Sequence, residues 1–204
     1  MTTEGRRETP TTAKRAAVQA AVLEATEELL AEGNSYADLG IEKIATRAGI
    51  SRTAFYFYFA DKRELLERLT EEINALLFEQ ANVWFSGQGD PEEEIRTAIA
   101  NIAALYREHA VLMRVIVEVA TYEAGVATFW RSTLDRFVAA TERRILEEQQ
   151  AGRAHDGHAR ATAFALTWMT ERTLYQDLVQ EEPVPHAQLV DALAGIWLRS
   201  VYGA

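Results

Sequence analysis

The 204-residue sequence predicts an all-α fold of about nine helices. Apolar residues recur at spacings of three and four through most of the chain, which is the period of one face of a helix. No segment shows the alternation of apolar and polar residues that is typical of a half-buried strand. Because 48% of the residues are hydrophobic, the chain can bury a substantial core.

The helices are predicted from these periodicities and from the start and stop signals between them. Asp61 followed by Glu64 has the spacing of a capping box at the start of a long helix. The segment SGQGDP, residues 86–91, is the clearest break, since it combines two glycines with a proline that precedes an acidic first turn. The predicted helices span residues 12–32, 39–48, 52–59, 62–85, 92–107, 109–122, 124–150, 157–181 and 186–201.

Gly49 and Ser51 predict a tight turn between the two short helices. Glycine adopts the left-handed conformation that ends many helices at almost no cost, whereas a β-branched residue does so only with strain. The Ser51 hydroxyl can accept a hydrogen bond from a free amide of the next helical turn. This arrangement is typical of helix-turn-helix DNA-binding proteins, although an ordinary buried helix pair can have the same spacing.

Five consecutive aromatic residues, 55–59, follow this turn. They cannot all be buried by so short a helix, so two faces must be in use. Phe55 and Phe59 are four residues apart and are predicted to share the core face. Tyr56 and Tyr58 are predicted to be exposed, where aromatic rings pack on sugars and thymine methyls while hydroxyls hold phosphates.

The composition excludes several classes of protein. The absence of cysteine rules out disulfides, thiol catalysis and a thiolate zinc site. No stretch approaches the roughly 18 to 20 apolar residues that span a bilayer, and the N-terminus lacks the apolar centre of a secretion signal. We therefore expect a cytoplasmic protein with no membrane segment.

The net charge of −10 is distributed unevenly. Residues 1–63 contain nine basic and nine acidic residues, whereas the remainder contains 12 basic and 22 acidic residues. This pattern favours a head that approaches DNA and an acidic body that DNA repels, although scattered charge is the alternative. The polar residues 1–11 are predicted to be disordered. The basic side chains near this end either form an arm that contacts DNA or are simply solvated; they are Arg6, Arg7, Lys14 and Arg15.

No catalytic, cofactor or metal site is predicted. The sequence has no Gly-rich phosphate loop and no GxSxG motif. The closest histidine pair, His155 and His158, lies in a glycine-containing turn. Such a pair could bind a metal weakly, but solvated turn residues are the commoner interpretation. After residue 63, four tryptophans among alanine-rich helices could leave an elongated cavity or form an ordinary core.

The segment ISRTAFYFYFADKRELL, residues 50–66, resembles the signature of TetR-type regulators. The segments FYFYF, TERTL at 170–174 and IWLRSVYG at 196–203 extend the resemblance to the EthR-like subgroup over nearly the whole chain. Many members have Ser or Thr opening the helix before the turn, where a hydroxyl can contact phosphate. This chain has Gly40 and Ile41 there, so that contact is not expected.

The resemblance implies a helix-turn-helix DNA-binding domain at residues 1–63 and a helical ligand-binding and dimerisation domain at residues 64–204, linked by the helix 62–85. It places Ser51, Arg52, Thr53 and Ala54 at base edges, and it places Tyr56, Tyr58 and Lys62 at phosphates. The full set of predicted DNA-binding residues is Lys43, Ser51, Arg52, Thr53, Ala54, Tyr56, Phe57, Tyr58 and Lys62.

The resemblance also implies a long, mostly apolar ligand channel. The residues predicted to line it are Ile95, Ile102, Tyr106, Trp130, Leu134, Phe137, Thr167, Thr170 and Trp197. Thr167 and Thr170 occupy positions where the subgroup often has asparagines, and a hydroxyl is a weaker polar group than an amide. We therefore expect an apolar effector with at most one or two polar contacts.

A homodimer through the last two helices is implied as well. The helix 157–181 has apolar residues on more than one side, so it needs two partners, which could lie inside one protomer or in a second one. The candidate contacts are Phe164, Trp168, Tyr175, Leu189, Leu193, Ile196 and Val201. The expected function is a homodimeric repressor that binds a palindromic double-stranded DNA operator and is released by a small lipophilic ligand. A hydrophobe-binding protein without DNA affinity is the alternative, and an all-helical enzyme is the third.

Overall fold

The structure is a computed structural model that describes residues 12–203, and within this range the chain forms nine α-helices and no strand. The prediction of an all-α fold is therefore confirmed. Arg6 and Arg7 of the predicted arm lie outside the described residues. The helices are α1 (Thr12–Ala31), α2 (Ile41–Arg47), α3 (Arg52–Tyr58), α4 (Lys62–Phe85), α5 (Pro91–Glu108), α6 (Ala110–Val119), α7 (Ala124–Gln150), α8 (Ala159–Val179) and α9 (His186–Tyr202).

The chain divides into two compact units, and the division lies between Leu69 and Thr70, inside α4. We call the described residues 12–69 the head and residues 70–203 the body. Asp61 accepts a hydrogen bond from the Glu64 amide at 2.8 Å, so the predicted start of α4 is confirmed. The Glu64 carboxylate in turn accepts from the Ala60 amide at 2.7 Å, which completes a reciprocal cap of the capping-box kind.

The core of the head forms where α1, α2 and α3 pack on one another. Ile44, Phe55 and Phe59 are each at most 1% exposed, and the rings of the two phenylalanines lie 5.4 Å apart. The prediction that these phenylalanines share the core is confirmed. Arg47 joins α2 to α1 through ion pairs of 3.2 Å with Glu28 and 2.9 Å with Glu32.

In the body, α7 packs along α8 and α5 packs along α9, with α6 against α5, α7 and α8. A buried ion cluster closes the end of α7. Glu148, which is fully buried, lies 2.8 Å from Arg144 Nη1 and 2.7 Å from Arg153 Nη2. The hydrogen bond from Arg153 lowers the pKa of Glu148 below its ordinary value, in spite of burial. A buried carboxylate is stable in this form because its two arginine partners compensate its charge.

Gly87, in the loop between α4 and α5, lies directly against this cluster. Its φ is +63°, and a Cβ added to it would meet Arg144 Nη1 at 2.1 Å. Only glycine therefore satisfies both the backbone conformation and the space. The same loop ends at Asp90, whose side chain accepts from the Glu93 amide at 3.0 Å and caps α5, as the SGQGDP segment predicts.

Two further observations concern the membrane segment and the histidine pair considered in the sequence analysis. No helix among the described residues has the length and apolar character required to cross a bilayer. His155 lies in the loop between α7 and α8, and its Nε2 lies 2.8 Å from the carbonyl oxygen of Ser200. The contact ties the loop between α7 and α8 to the end of α9.

Candidate DNA-binding surface and ligand cavity

The turn between α2 and α3 is held by backbone hydrogen bonds. Gly49 has a φ of +70°, so the predicted left-handed residue is confirmed. The Gly49 amide donates to the Thr46 carbonyl at 3.1 Å, and the Ile50 amide donates to the Ala45 carbonyl at 2.9 Å. This is the pattern of a Schellman motif, which satisfies the last carbonyls of a helix and fixes the direction in which the chain leaves it.

α3 begins immediately after this turn with the side chains that were predicted to reach base edges. The Ser51 hydroxyl accepts a hydrogen bond from the Ala54 amide at 3.1 Å, so the predicted cap is confirmed. Arg52 and Thr53 are exposed on the first turn, and Ala54 is half-buried. Arg52 forms no ion pair or side-chain hydrogen bond within the described chain. Its guanidinium is thus available to an external acceptor.

The aromatic residues of α3 divide between the two faces, but not fully as predicted. Tyr56 and Phe57 are 48% and 57% exposed. Tyr58 is only 9% exposed, so the prediction that it is exposed is wrong. The physical reason is helical geometry: residue 58 lies three positions after Phe55 and shares its inward face. The Arg15 guanidinium of α1 covers the Tyr58 ring at 5.8 Å from its centroid.

The two predicted lysines of the head are engaged in contacts within it. Lys43 Nζ donates to Asn34 Oδ1 at 2.6 Å. Lys62 Nζ donates to the Tyr36 carbonyl at 2.5 Å, and it lies 4.6 Å from the centroid of the Tyr36 ring. The Tyr36 hydroxyl donates back to the Lys62 carbonyl. Burial lowers the pKa of Lys62, and its side chain ties the loop before α2 to the start of α4.

A cavity of about 70 Å³ lies inside the body, and all nine residues predicted to line a channel are in its wall. Four elements, α4, α5, α7 and α8, and the Trp197 side chain of α9 enclose it. The lining residues that the sequence reasoning did not name are Asn74, Leu77, Ala81, Trp84, Phe85, Ala98, Ile99, Thr141, Glu171 and Leu174. The wall is mostly apolar, which is typical of small-molecule sites.

The two threonines of the wall differ in their hydrogen bonding. The Thr170 hydroxyl accepts a hydrogen bond from Trp197 Nε1 at 2.8 Å. The Thr167 hydroxyl is buried and has no hydrogen-bond partner. Thr167 therefore has an unused polar group at the cavity, whereas Thr170 already uses its group to hold Trp197.

Glu171 is the charged residue among the lining residues that the sequence reasoning missed. It is 3% exposed, and within residues 12–203 neither carboxylate oxygen has a hydrogen bond of ordinary geometry. Burial raises the pKa of Glu171, and the charge of the neighbouring Arg172 and the indole N–H of Trp130 oppose this shift. Burial and the negative charge of Glu171 also raise the pKa of the Tyr106 phenol. The signal was present in the sequence, because residue 171 is four positions after Thr167 and so lies on the same helix face.

The outer side of α8 carries exposed apolar rings. Phe164 is 50% exposed, and its ring centroid lies 6.0 Å from that of the half-buried Trp168. On α9, Ile196 is 37% exposed. The other α9 candidates for dimer contacts, Leu189, Leu193 and Val201, are between 1% and 6% exposed. The expectation that these three face a partner is wrong, since they pack inside their own protomer.

Comparison with known protein families decides the identity of this architecture. Residues 22–69 match the family described as bacterial regulatory proteins, tetR family. Residues 95–203 match the family described as transcriptional regulator EthR, C-terminal domain. The chain belongs to the TetR family. It is a DNA-binding transcriptional regulator of the EthR-like group, as its resemblance implied.

Two relatives carry the description HTH-type transcriptional regulator EthR. The protein from Mycolicibacterium smegmatis is 33% identical over 192 residues, which cover 91% of this TetR-family chain and 86% of that protein. The protein from Mycobacterium tuberculosis is 33% identical over 187 residues, which cover 88% of this chain and 85% of that protein.

Solved structures of TetR-type regulators share the fold at lower identity. NalD of Pseudomonas aeruginosa, the secondary repressor of the MexAB-OprM multidrug efflux pump, has a TM-score of 0.76 at 16% identity and covers 92% of this chain and 98% of its own. AibR in complex with isovaleryl coenzyme A and operator DNA has a TM-score of 0.66 at 18% identity, and the match covers 88% of this chain and 97% of AibR. At these identities the similarity shows a shared fold.

Proposed function

We propose that this TetR-family regulator is a homodimeric repressor that binds a palindromic operator and is released from it by a small lipophilic ligand. One observation carries the proposal: the chain combines an exposed, capped helix start at Ser51 to Thr53 with a buried apolar cavity in its body. The first feature suits the reading of DNA and the second suits the binding of an effector. AibR, which shares the fold, is described with both kinds of ligand bound.

The reading role rests on Arg52 and Thr53. Both side chains are exposed at the start of α3, and the first residues of a recognition helix are those that contact base edges in the major groove. An arginine can donate two hydrogen bonds to one guanine, which makes it the most common specific contact. Residues proposed to position the helix around this pair are Lys43, Ser51, Ala54, Tyr56, Phe57 and Lys62.

The dimer role rests on the exposed rings of α8. The exposed Phe164 and the half-buried Trp168 form an apolar surface of α8 that does not line the cavity, and Ile196 is the exposed α9 residue predicted to share the interface. Exposed apolar patches on a soluble protein commonly mark contact surfaces. A twofold pairing of this surface gives the regulator the symmetry of a palindrome, whose half-sites lie about one helical turn of DNA or a small multiple apart.

The size of the cavity supports a link between ligand binding and DNA release. Its volume of about 70 Å³ is well below the roughly 300–1,000 Å³ of typical ligand pockets. A ligand must therefore be slender, or it must bind a form of the body in which the walls have separated. In the second case the ligand shifts the population toward the form with separated walls, by as much as its affinities for the two forms differ. DNA binding weakens if α3 fits the major groove less well in that form.

The proposal is tested by measuring binding to labelled DNA from the region that flanks the regulator's own gene. Arg52→Ala is expected to weaken operator binding by about 1–3 kcal/mol and to relax base preference. Lys62→Ala is expected to weaken binding to operator and random DNA alike. Arg131→Ala removes the same charge from an exposed position of the body and serves as the control, with no change expected.

Three results would reject the proposal. The first is an equal loss on operator and random DNA for Arg52→Ala, because it removes the base-reading role. The second is a protomer that stays monomeric in sedimentation experiments at the concentrations that saturate the DNA. The third is that lipophilic ligands bind the body but none of them weakens operator binding.

A further inference from the structure

The cavity wall holds a carboxylate that the other contacts of the fold leave without a well-formed hydrogen bond. Glu171 is 3% exposed, and among the described residues neither of its oxygens has a hydrogen bond of ordinary geometry, although the Trp130 indole N–H of the same wall interacts with the carboxylate and lowers its pKa. A carboxylate can accept about four hydrogen bonds. A buried charge without such bonds is costly, so this group favours a partner that brings donors into the cavity.

Arg172 does not fill that role. Its Nε lies 3.6 Å from Glu171 Oε2, beyond hydrogen-bond distance, and its side chain is 49% exposed. The guanidinium packs over the Tyr175 ring at 5.3 Å from the centroid. The attraction between the two charges is therefore screened by water on the arginine side, and the carboxylate keeps its capacity to accept hydrogen bonds.

The other unpaired groups of the wall also favour a ligand that donates. Among the described residues of the wall, Asn74 Oδ1 is, like the two Glu171 oxygens, a buried acceptor without a hydrogen bond of ordinary geometry, and the unpaired Thr141 and Thr167 hydroxyls can accept as well as donate. Trp130 Nε1 can only donate, and it already interacts with Glu171. The rings of Tyr106, Trp130 and Trp197 line the same cavity. Aromatic faces attract cations, most strongly where water is excluded.

From these contacts we propose that the cavity takes a lipophilic amine, whose protonated nitrogen donates to the Glu171 carboxylate while its apolar chain lies along the remaining wall. The inference rests on the proposed role of this cavity as the effector site and specifies the ligand class. The acidic residues that outnumber basic ones by 22 to 12 after position 63 favour a cation over an anion in this part of the chain. An alkyl carboxylate is disfavoured, because two carboxylates can share an apolar site only if one of them is protonated.

The proposal is tested by titrating the purified full-length protein at pH 7 with octylamine, octanol and octanoate, each below its solubility limit or micelle concentration. Binding is followed by tryptophan fluorescence, since three of the four tryptophans line the cavity. Octylamine is expected to bind about 10- to 100-fold more tightly than octanol, as is typical of a hydrogen bond to a charged group. Octanoate is expected to bind most weakly.

Glu171→Gln keeps the size of the side chain and removes its charge. It is expected to reduce octylamine affinity to that of octanol and to leave octanol affinity within about twofold. Glu182→Gln removes the same charge from an exposed residue after α8 and is expected to keep the full preference for the amine. If Glu171→Gln does not fold, as judged by circular dichroism, the order of the three probes on the unsubstituted protein still decides.

Equal affinity for octylamine and octanol, or an amine preference that survives in Glu171→Gln, would overturn the inference. An amine preference that Glu182→Gln abolishes would overturn it too, because general charge would then be the cause. Operator release separates the inference from the proposed function. If octanol and octanoate release the operator as efficiently as octylamine does, the effector role is supported and the preference for an amine is refuted. If octylamine binds tightly but leaves the operator complex intact, the amine site is supported and the effector role is refuted.

Discussion

The contrast between Thr170 and Thr167 permits a direct test of the cavity wall. The residues are three positions apart on α8 and equally buried at 7% exposure, but only the Thr170 hydroxyl is paired, with Trp197 Nε1 at 2.8 Å. Valine has nearly the shape of threonine without its hydroxyl. Thr170→Val and Thr167→Val therefore remove the same atom from the same helix face in two different hydrogen-bonding states.

The expected magnitudes follow from this difference. Thr170→Val leaves the Trp197 indole N–H buried without an acceptor, which costs about 1–3 kcal/mol of unfolding free energy. For a chain of this size that corresponds to a fall in Tm of about 2–12 °C. Thr167→Val removes a hydroxyl that is already unpaired, so stability is expected to stay the same or to rise.

The assay is equilibrium unfolding in urea followed by tryptophan fluorescence, at one fixed protomer concentration because association shifts apparent stability. All four tryptophans lie after residue 69, so the signal reports the body. A loss of equal size in the two variants would refute the assignment of the hydrogen bond. A larger loss in Thr167→Val would mean that its hydroxyl has a partner in solution.

Three further results are expected. Gly87→Ala, whose new Cβ would meet Arg144 Nη1 at 2.1 Å, should lower the urea midpoint more than Gly152→Ala, which has a similar φ of +69° and open space and should lose only about 1 kcal/mol. Ser51→Ala should lower the unfolding free energy of the head by about 1 kcal/mol, measured by circular dichroism, whereas Ser51→Asp should keep the helix cap and the stability. Both variants should weaken DNA binding, and Ser51→Asp should do so because its carboxylate repels phosphate. The pKa of Glu148 is lowered in the folded state, so its stabilising contribution is complete above the ordinary glutamate pKa of about 4.3. This contribution is lost as the pH falls through the lowered pKa. Glu148→Gln should therefore flatten the acid side of a plot of unfolding free energy against pH.

Most of the helical framework could be predicted because its signals are local. Gly49, Ser51 and Asp61 determine their turns and caps through hydrogen bonds within five residues, and such signals are readable in sequence. Tyr58 shows the limit of the same reasoning. Its exposure was inferred because five consecutive aromatic residues cannot all be buried, whereas its position in the helical period places its ring toward the core under Arg15.

The parts that could not be predicted depend on contacts between distant segments. Leu189 and Val201 on α9 pack inside the body, and no local pattern distinguishes a face that meets the same chain from one that meets a second chain. Glu171 lay in a motif that was used only as a family signature. Its significance depends on burial beside side chains from α4, α5 and α7, which only the folded arrangement supplies.

The Schellman turn that precedes α3 has a consequence for how such a regulator can change its target in evolution. The backbone hydrogen bonds of residues 45–50 and the packing of the buried Phe55 ring orient the helix, and the exposed side chains of Arg52 and Thr53 take no part in either. Substitutions at these two positions therefore leave the scaffold intact. If Arg52 and Thr53 read the operator as proposed, one or two codon changes can alter the DNA target without an intermediate that fails to fold.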